Sequence, residues 1–537
     1  MSLQQPAASP ATLRQLADLA EIRGDGTESA ELRRTAGALD AEPRQRLDPG
    51  RQGSEAEMAL RAARARIPWL LRRLIELGAA STSEAAELAR HGVVTLLDLG
   101  LALDEGRLGR FVDAEVETRL SAVMDMLESE AKQFTLGRAC DIIDTLQGRL
   151  LRECPSFEKV TAGGGVRRFE PLVDSLTIVG LSVNPEAVLD TITRLPEIDD
   201  VLHHSTRRAI VSFNRVEVDV RVAAPDEYGT VLYSATGSRN HVAMMTGRRT
   251  RVRLHTREED VYADAGLPFI APELRQGSGE IEAATLRELP TLVDVKHIRG
   301  DLHMHSTYSD GQDLLPTMVS AASALGYEYI AITDHSQRAA AARTLTLDTL
   351  ARQRDEVARL RELYPSMALL HGVEVDIMRD GRLDFADDVL ASLDLVIASL
   401  HDDAGQGPRA LTRRCLTAIR HPLVSIISHP ANRIVGRRSG YPLDFAAIYE
   451  AAVETGTALE IDGAPAHLDM DGEHAREAVA AGVTVTIDGD CHRAASLARH
   501  MRLGVGTARR GWVEPRHVLN TRSLAEVRRF IAAKRAR

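Results

Sequence analysis

Hydrophobic and polar positions follow two different periods along this chain. From Thr12 to about Leu150, Leu, Ala and Val recur three and four positions apart between Arg and Glu, the spacing of helices with one apolar face. Glycines at 78, 92, 100 and 106 predict turns between short helices. Residues 24–54, rich in Gly, Asp, Glu, Arg and Pro, predict long or loose connections, and the first ten residues predict no ordered element. Near Pro155 the period shortens to two. Strands are predicted at 175–181, 209–213 and 216–222, with a helix at about 185–194. The last of these strands alternates cleanly, with Val216, Val218, Val220 and Val222 on one face and Glu217, Asp219 and Arg221 on the other. A basic run over 245–257 fits a solvated edge strand better than a phosphate-binding patch.

After a connection punctuated by Pro and Gly, 268–300, short apolar runs alternate with helical patterns. Strands are predicted at 301–305, 329–333, 368–370, 393–400, 424–428, 458–461 and 483–487. Strand–helix alternation of this kind means a parallel sheet, and seven successive units predict a closed α/β barrel.

Composition narrows the class. At 537 residues the chain is too long for one core and predicts three or four domains. Hydrophobic residues at 44% and charged residues at 27% are ordinary for a soluble globular protein, while 4% aromatics leave the cores to Leu, Val, Ile and Ala. A net charge of −11 means that any nucleic-acid contact must come from a local patch. The four cysteines (Cys140, Cys154, Cys415 and Cys491) are scattered, which argues against disulfides or a cysteine-based zinc knuckle. With no signal-peptide pattern at the start and no apolar run of about eighteen residues, a cytoplasmic protein without a membrane partner is predicted.

The candidate chemistry lies where the barrel strands end. The first ends in His303 and His305 with Asp310 in the loop beyond, and the second in Asp334 and His335. The third runs into Glu374, the fourth into His401, the fifth into His429, and the seventh into Asp488-Gly-Asp490-Cys-His492. In a parallel barrel these ends converge on one rim, so the joint placement predicts a metal cluster. Imidazole and carboxylate without thiolate suit Zn²⁺, Mn²⁺ or Fe²⁺. So many candidates exceed the roughly four to six ligands of one ion that two or three ions are expected. Closely spaced ions that clamp attacking and leaving oxygens are the usual machinery of phosphate-ester hydrolysis, and no Ser or Cys with a paired base stands out beside them.

The stretches Asp-Leu-His-Met-His-Ser-Thr-Tyr-Ser-Asp-Gly, Ile-Thr-Asp-His-Ser, Gly-Val-Glu-Val-Asp-Ile, Ala-Ser-Leu-His, Ser-His-Pro-Ala-Asn-Arg and Asp-Gly-Asp-Cys-His resemble the motifs of the PHP (polymerase and histidinol phosphatase) domain over about 298–537. The resemblance implies a distorted seven-stranded (β/α)7 barrel. It implies one metal site of His303, His305 and Asp490, with Glu374 bridging to a second of His401 and His429, and a third of Asp310, His335 and His492. Glu374, Asp490 and Asp334 would be the carboxylates of catalysis, Asp334 from behind the ligands, and Arg433 and Arg438 would hold substrate phosphate. Asp380-Gly-Arg-Leu-Asp-Phe, Gly504-Val-Gly-Thr-Ala-Arg-Arg-Gly-Trp and the segment from Pro272 to Ala283 further resemble bacterial family X DNA polymerases with a C-terminal PHP domain.

That resemblance implies a multidomain chain. Residues 1–80 would form a helical N-terminal domain, 81–150 a fingers-like region with degenerate helix-hairpin-helix turns, 151–295 a palm- and thumb-like α/β part, and 296–537 the PHP domain. The implied activity is 3′–5′ exonuclease and 3′-end processing of DNA. The alternative is a histidinol-phosphatase-like enzyme for a small phosphorylated metabolite, with the N-terminal part structural. The palm departs from its pattern: Gly164-Gly-Val-Arg167-Arg168 is followed by Ser175 and Thr177 where the family carries two metal-binding aspartates. Arg167, Arg168 and Asp219 would be remnants of the polymerase site, Asp219 either as a third carboxylate or as an exposed strand residue, and nucleotidyl transfer is expected to be lost.

Overall fold

Three helices in the first 130 residues start at a residue whose side chain caps them. Ser9 caps Pro10–Arg23, Ser81 and Glu84 form a capping box on Thr82–Arg90, and Thr95 and Asp98 do the same for Leu96–Asp104. Gly78, Gly92 and Gly106 take the left-handed turns expected of them, whereas Gly100 lies inside Leu96–Asp104. A Cβ at Gly100 would come within 2.8 Å of Arg239 Cδ, so this glycine makes room for a side chain rather than turning the chain. Residues 24–54 also differ from expectation, since Gly26–Ala41 and Pro49–Arg64 are helices. Most of their Gly and Pro stand in the first turns, and Ala, Leu, Glu and Arg, strong helix formers, fill the rest.

The computed structural model describes residues 9–41, 49–248, 253–339, 343–403 and 405–537. The chain divides into two compact units near residue 288, with 134–138 and 168–172 belonging to the second. The first unit carries a five-stranded sheet of β1 (Glu158–Ala162), β2 (Leu176–Leu181), β3 (Ile198–His204), β4 (Arg208–Phe213) and β5 (Val216–Ala223), in the order β1-β2-β5-β4-β3. Only the β2–β5 pair is parallel, and it sets Thr177 opposite Asp219. Leu202 and Ile210 of the sheet join Leu19, Leu71, Leu99 and Leu120 of the helices in one core. Of the basic run, 249–252 lie outside the described residues, and 253–257 form no strand. There the chain exchanges hydrogen bonds with Thr230, at the start of helix Tyr228–Thr236, instead of with a sheet edge.

The alternation read for β5 is present, but its charged face is covered. Asp219 is 5% exposed, and both its oxygens accept from guanidinium groups: Arg208 at 2.8 Å on each, and Arg221 at 2.8 Å on one. Asp98 closes the network, 2.8 Å from Arg208 and 3.4 Å from Arg221. The expectation of an exposed Asp219 is therefore corrected, because helix Leu96–Asp104 lies over the face that the pattern left open. Arg167 is bound to Glu258 and Thr236, and Arg168 to Glu170, so each of these arginines has a partner.

The second unit is built on seven strands: β6 (Gly300–Asp301), β7 (Tyr329–Ile332), β8 (Ala368–Asp376), β9 (Leu395–Ser399), β10 (Ile426–Ile427), β11 (Ala458–Asp462) and β12 (Val485–Asp488). They pair in sequence order, every pair parallel. A single bridge, Met304 to Cys491, and a bond from the Leu302 N–H to Asp488 nearly close the sheet between β6 and β12. Alternate strand residues divide into two sets. Val373, Val375, Val396, Leu459 and Ile487 pack on the surrounding helices. Leu370, Leu395, Ile397, Ile426 and Ala458 pack together with Val527 and Ile531 of the last helix, Leu524–Arg535. Continued towards the strand C-termini, this second set turns polar, through Glu374, Ser399, Ser428 and Glu460.

Removing one member of the buried charge network strands the others. Arg208→Met should lower stability by about 3–5 kcal/mol in urea denaturation. Burial works against the charge on Asp98, but Arg208 and Arg221 overcome it and draw the carboxyl down to about 2. A folded pKa below the unfolded one stabilises at higher pH and is lost as pH falls. Stability should therefore drop more between pH 4 and pH 2 in the parent than in Asp98→Asn.

Candidate metal centre

His303 and His305 stand two apart on extended chain beyond β6, so both rings reach the same side, and both are fully buried with their Nε2 atoms 3.1 Å apart. Glu374, near the end of β8, is the hub. Its Oε1 lies 3.1 Å from His401 Nε2 and 3.0 Å from His429 Nε2. Its Oε2 lies 2.8 Å from His335 Nδ1, 3.4 Å from His303 Nε2 and 3.5 Å from His305 Nε2. Asp490 approaches His305 at 3.0 Å, and Asp310 approaches His492 at 3.1 Å and His335 at 3.5 Å. All nine candidates thus meet at the strand C-termini. Three sets bring their ligand atoms within 4.8 Å of one another: His303, His305 and Asp490; His335, Glu374 and His401; and His305, Asp310, His335 and His492. The third contains the expected trio with His305 added, while His335 joins Glu374 and His401.

Other residues fix these side chains. Glu460 on β11 bonds His303 Nδ1 at 2.7 Å and accepts the His429 backbone N–H at 2.8 Å. Asp376 bonds His401 Nδ1 at 2.8 Å, and the Ser399 hydroxyl donates to Glu374 Oε1 at 2.6 Å. Neither Glu460 nor Asp376 was singled out by the strand-end pattern. The available signal was an acid inside an otherwise apolar parallel strand, which has no solvent to face. His429 and Asp490 hold left-handed backbone, φ 23° and 44°. Such residues cost on the order of 1–3 kcal/mol each and persist where surrounding contacts over-determine them.

Donor chemistry tests whether ions fit. Burial and the neighbouring His335 and His492 push His305 down to about 3, leaving it in the neutral form that binds metal. Burial opposes charge on Glu374, yet His335, His401 and His303 hold its carboxyl well below the usual range. His335 Nδ1 and Glu374 Oε2, despite their 2.8 Å separation, make no hydrogen bond, and His429 Nδ1 is likewise buried and unsatisfied. Ligand atoms of three such sets lie within 4.8 Å of one another, close enough to share an ion. Imidazole and carboxylate together fit divalent zinc, manganese or iron.

Of the three further expected residues, one stands behind the ligands as expected, one is engaged elsewhere and one is exposed. Asp334 accepts five hydrogen bonds, from the backbone and hydroxyl of Ser306 and of Ser309 and from Gln353, so it holds the turn between His305 and Asp310 and has no oxygen turned to a substrate. Arg433 donates to the His467 and Leu468 carbonyls and to Asp471, and this corrects its reading as a phosphate ligand. The loop after β11 supplies those carbonyls, which no local pattern around Arg433 reveals. Arg438 donates from two of its nitrogens to Asn432, lies over the Tyr441 ring and is exposed.

A nearly closed seven-stranded parallel barrel whose rim gathers six imidazoles and three carboxylates defines a metal-dependent phosphoester hydrolase of the PHP type, and residues 301–432 match the PHP domain family. The DNA polymerase/3′-5′ exonuclease PolX of Bacillus subtilis is 35% identical over 435 residues, covering 77% of this chain and 76% of that protein. The chain belongs to the PolX family. A probable phosphatase of Syntrophotalea carbinolica is 32% identical over 167 residues, 30% of this chain and 64% of that protein. Among solved structures, histidinol phosphate phosphatase of Lactococcus lactis, complexed with zinc, L-histidinol and phosphate, matches 40% of this chain and 93% of that one at 20% identity and a TM-score of 0.34.

Glu460→Gln should weaken binding of Mn²⁺ about 10–100-fold in calorimetric titration, because His303 loses the carboxylate that orients it. An affinity equal to the parent's would remove Glu460 from the centre.

Proposed function

We propose that this chain hydrolyses DNA from 3′ ends in the 3′–5′ direction at the barrel rim, and that its N-terminal unit has lost nucleotidyl transfer. The observation that carries the DNA reading is the reach of the similarity. The match to PolX spans 77% of the chain and so extends well beyond the barrel, whereas the match to the probable phosphatase covers 30%.

In this reading His303, His305 and Asp490 hold one ion, Glu374 with His401 and His429 a second, and Asp310, His335 and His492 a third. Divalent ions bound there would neutralise phosphate charge and turn water into a nucleophile near neutral pH. The protein's own part is orientation: Glu460 and Asp376 fix the His303 and His401 rings, and the Ser399 and Ser428 hydroxyls hold Glu374 Oε1 at 2.6 and 3.2 Å. Arg438, beside Asn432, is the remaining candidate for contact with substrate phosphate. Loss of polymerase chemistry is supported by Ser175 and Thr177, which offer hydroxyls instead of carboxylates, and by Asp219, whose oxygens are committed to Arg208 and Arg221. No helix among the described residues is long and apolar enough to cross a membrane. DNA as partner and a cytoplasmic location are part of the same reading and rest on the breadth of the similarity to PolX.

With Mn²⁺ and 5′-labelled single-stranded DNA, the purified protein should shorten the strand stepwise, and His303→Ala or Glu374→Ala should abolish the shortening. Intact DNA alongside hydrolysis of small phosphomonoesters would sink the exonuclease reading and favour the metabolite phosphatase. Primed template with Mg²⁺ and nucleotides should give no extension, and any templated extension would contradict the loss of transfer.

A further inference from the structure

Asp334 is the anchor of the turn that carries His305 and Asp310. Its Oδ1 accepts from Ser306 N, Ser309 N and Ser309 Oγ, and its Oδ2 from Ser306 Oγ and, at 2.6 Å, from the Gln353 amide. Ser309 Oγ in turn lies 3.5 Å from His305 Nδ1 and 3.4 Å from Asp310 Oδ1. Because a carboxylate can only accept, Gln353 must turn its NH₂ towards Asp334 and its carbonyl away. That carbonyl lies 3.1 Å from His371 Nε2, so His371 must carry its proton on Nε2.

His371 is in β8, 5% exposed, three residues before Glu374 and on the opposite face of the strand. Burial, with Arg361 and Arg354 nearby, lowers it to about 4, so the ring stays neutral and has one N–H to give. Its Nδ1 has no partner among the described residues. The ring lines a cavity of about 260 Å³ with Leu347, Leu350, Arg354, Asp388 and Ser392.

We propose that His371 and Gln353 are positioning residues for the metal centre: the His371 N–H sets the Gln353 amide, the amide sets Asp334, and Asp334 sets the serines that aim His305 and Asp310. The proposal rests on the reading of His305, Asp310, His335 and His492 as metal ligands. It assigns the adjoining cavity a consequence, since a small imidazole can enter beside position 371 and take over the missing ring's hydrogen bond.

The experiment is a Mn²⁺ titration of the full chain by calorimetry, with strand shortening measured in parallel. His371→Ala should weaken one class of Mn²⁺ sites about tenfold, the low end of what loss of a partner behind a metal ligand costs, and leave the others unchanged. Added imidazole should restore that class in His371→Ala, relative to the parent in the same imidazole. It should not restore it in Gln353→Met, which keeps the volume but breaks the next link. 1-Methylimidazole binds metal similarly but has no N–H, and should restore neither. Parent-like Mn²⁺ binding in His371→Ala, or equal rescue by the two imidazoles, would overturn the proposal. If His371→Ala does not fold, parent-like binding in Gln353→Met overturns it equally. If the parent protein leaves DNA intact, the substrate reading fails while the Mn²⁺ titration still decides the positioning role.

Discussion

One buried carboxylate governs the second unit. Glu374 is fully enclosed near the end of a central strand, where an ionised acid without partners would cost many kcal/mol. Five imidazoles from four other strand ends and two serine hydroxyls compensate it. Each can do so only if its strand delivers it at the right height. Parallel pairing in unbroken sequence order meets that requirement, because it puts every strand C-terminus on the same side. The apolar lower half of the barrel interior, closed by Val527 and Ile531, then keeps the polar upper half from running through the whole core. Fold and centre are in this sense one constraint, since slipping any strand by one residue would point its ligand into the helix layer.

Much of this arrangement was legible in the chain itself. Six of the seven barrel strands lie on the apolar runs, the first is only Gly300–Asp301 with its histidines on extended chain beyond it, and the nine acids and imidazoles at the strand ends meet. Glu460 and Asp376 were harder to find. A strand covered on both faces reads as continuously apolar, so nothing local tells which of its alternate residues reach the polar end of the interior. Asp219 shows the opposite difficulty. Its alternation was plain, but periodicity separates two faces without saying whether solvent or a helix covers each. Arg433 illustrates a third limit, since its partners are two main-chain carbonyls and a carboxylate 34 to 38 residues away. Gly100 and the helices within 24–54 show that glycine content marks close packing and helix starts as readily as turns.

The two units deal with buried negative charge by different means. In the barrel, carboxylates face imidazoles, groups that can release a proton and take up an ion in its place. In the sheet of the first unit, Asp98 and Asp219 face Arg208 and Arg221, whose charge is permanent. Asp98 also caps helix Leu96–Asp104 through Thr95, so the same carboxylate that balances the arginines determines where that helix begins.

The arginine-filled sheet also limits what this sheet can hold. Two acids and two guanidinium groups already sum to zero there. Carboxylates placed at 175 and 177, the latter in register with Asp219, would add negative charge beside a balanced set, and the arginines would compete with any ion for Asp219. A cation-binding sheet here would require at least one arginine to leave as well, and with it a share of the unit's stability. Changing one side chain at a time would pass through an unbalanced set, so the four residues are tied to one another.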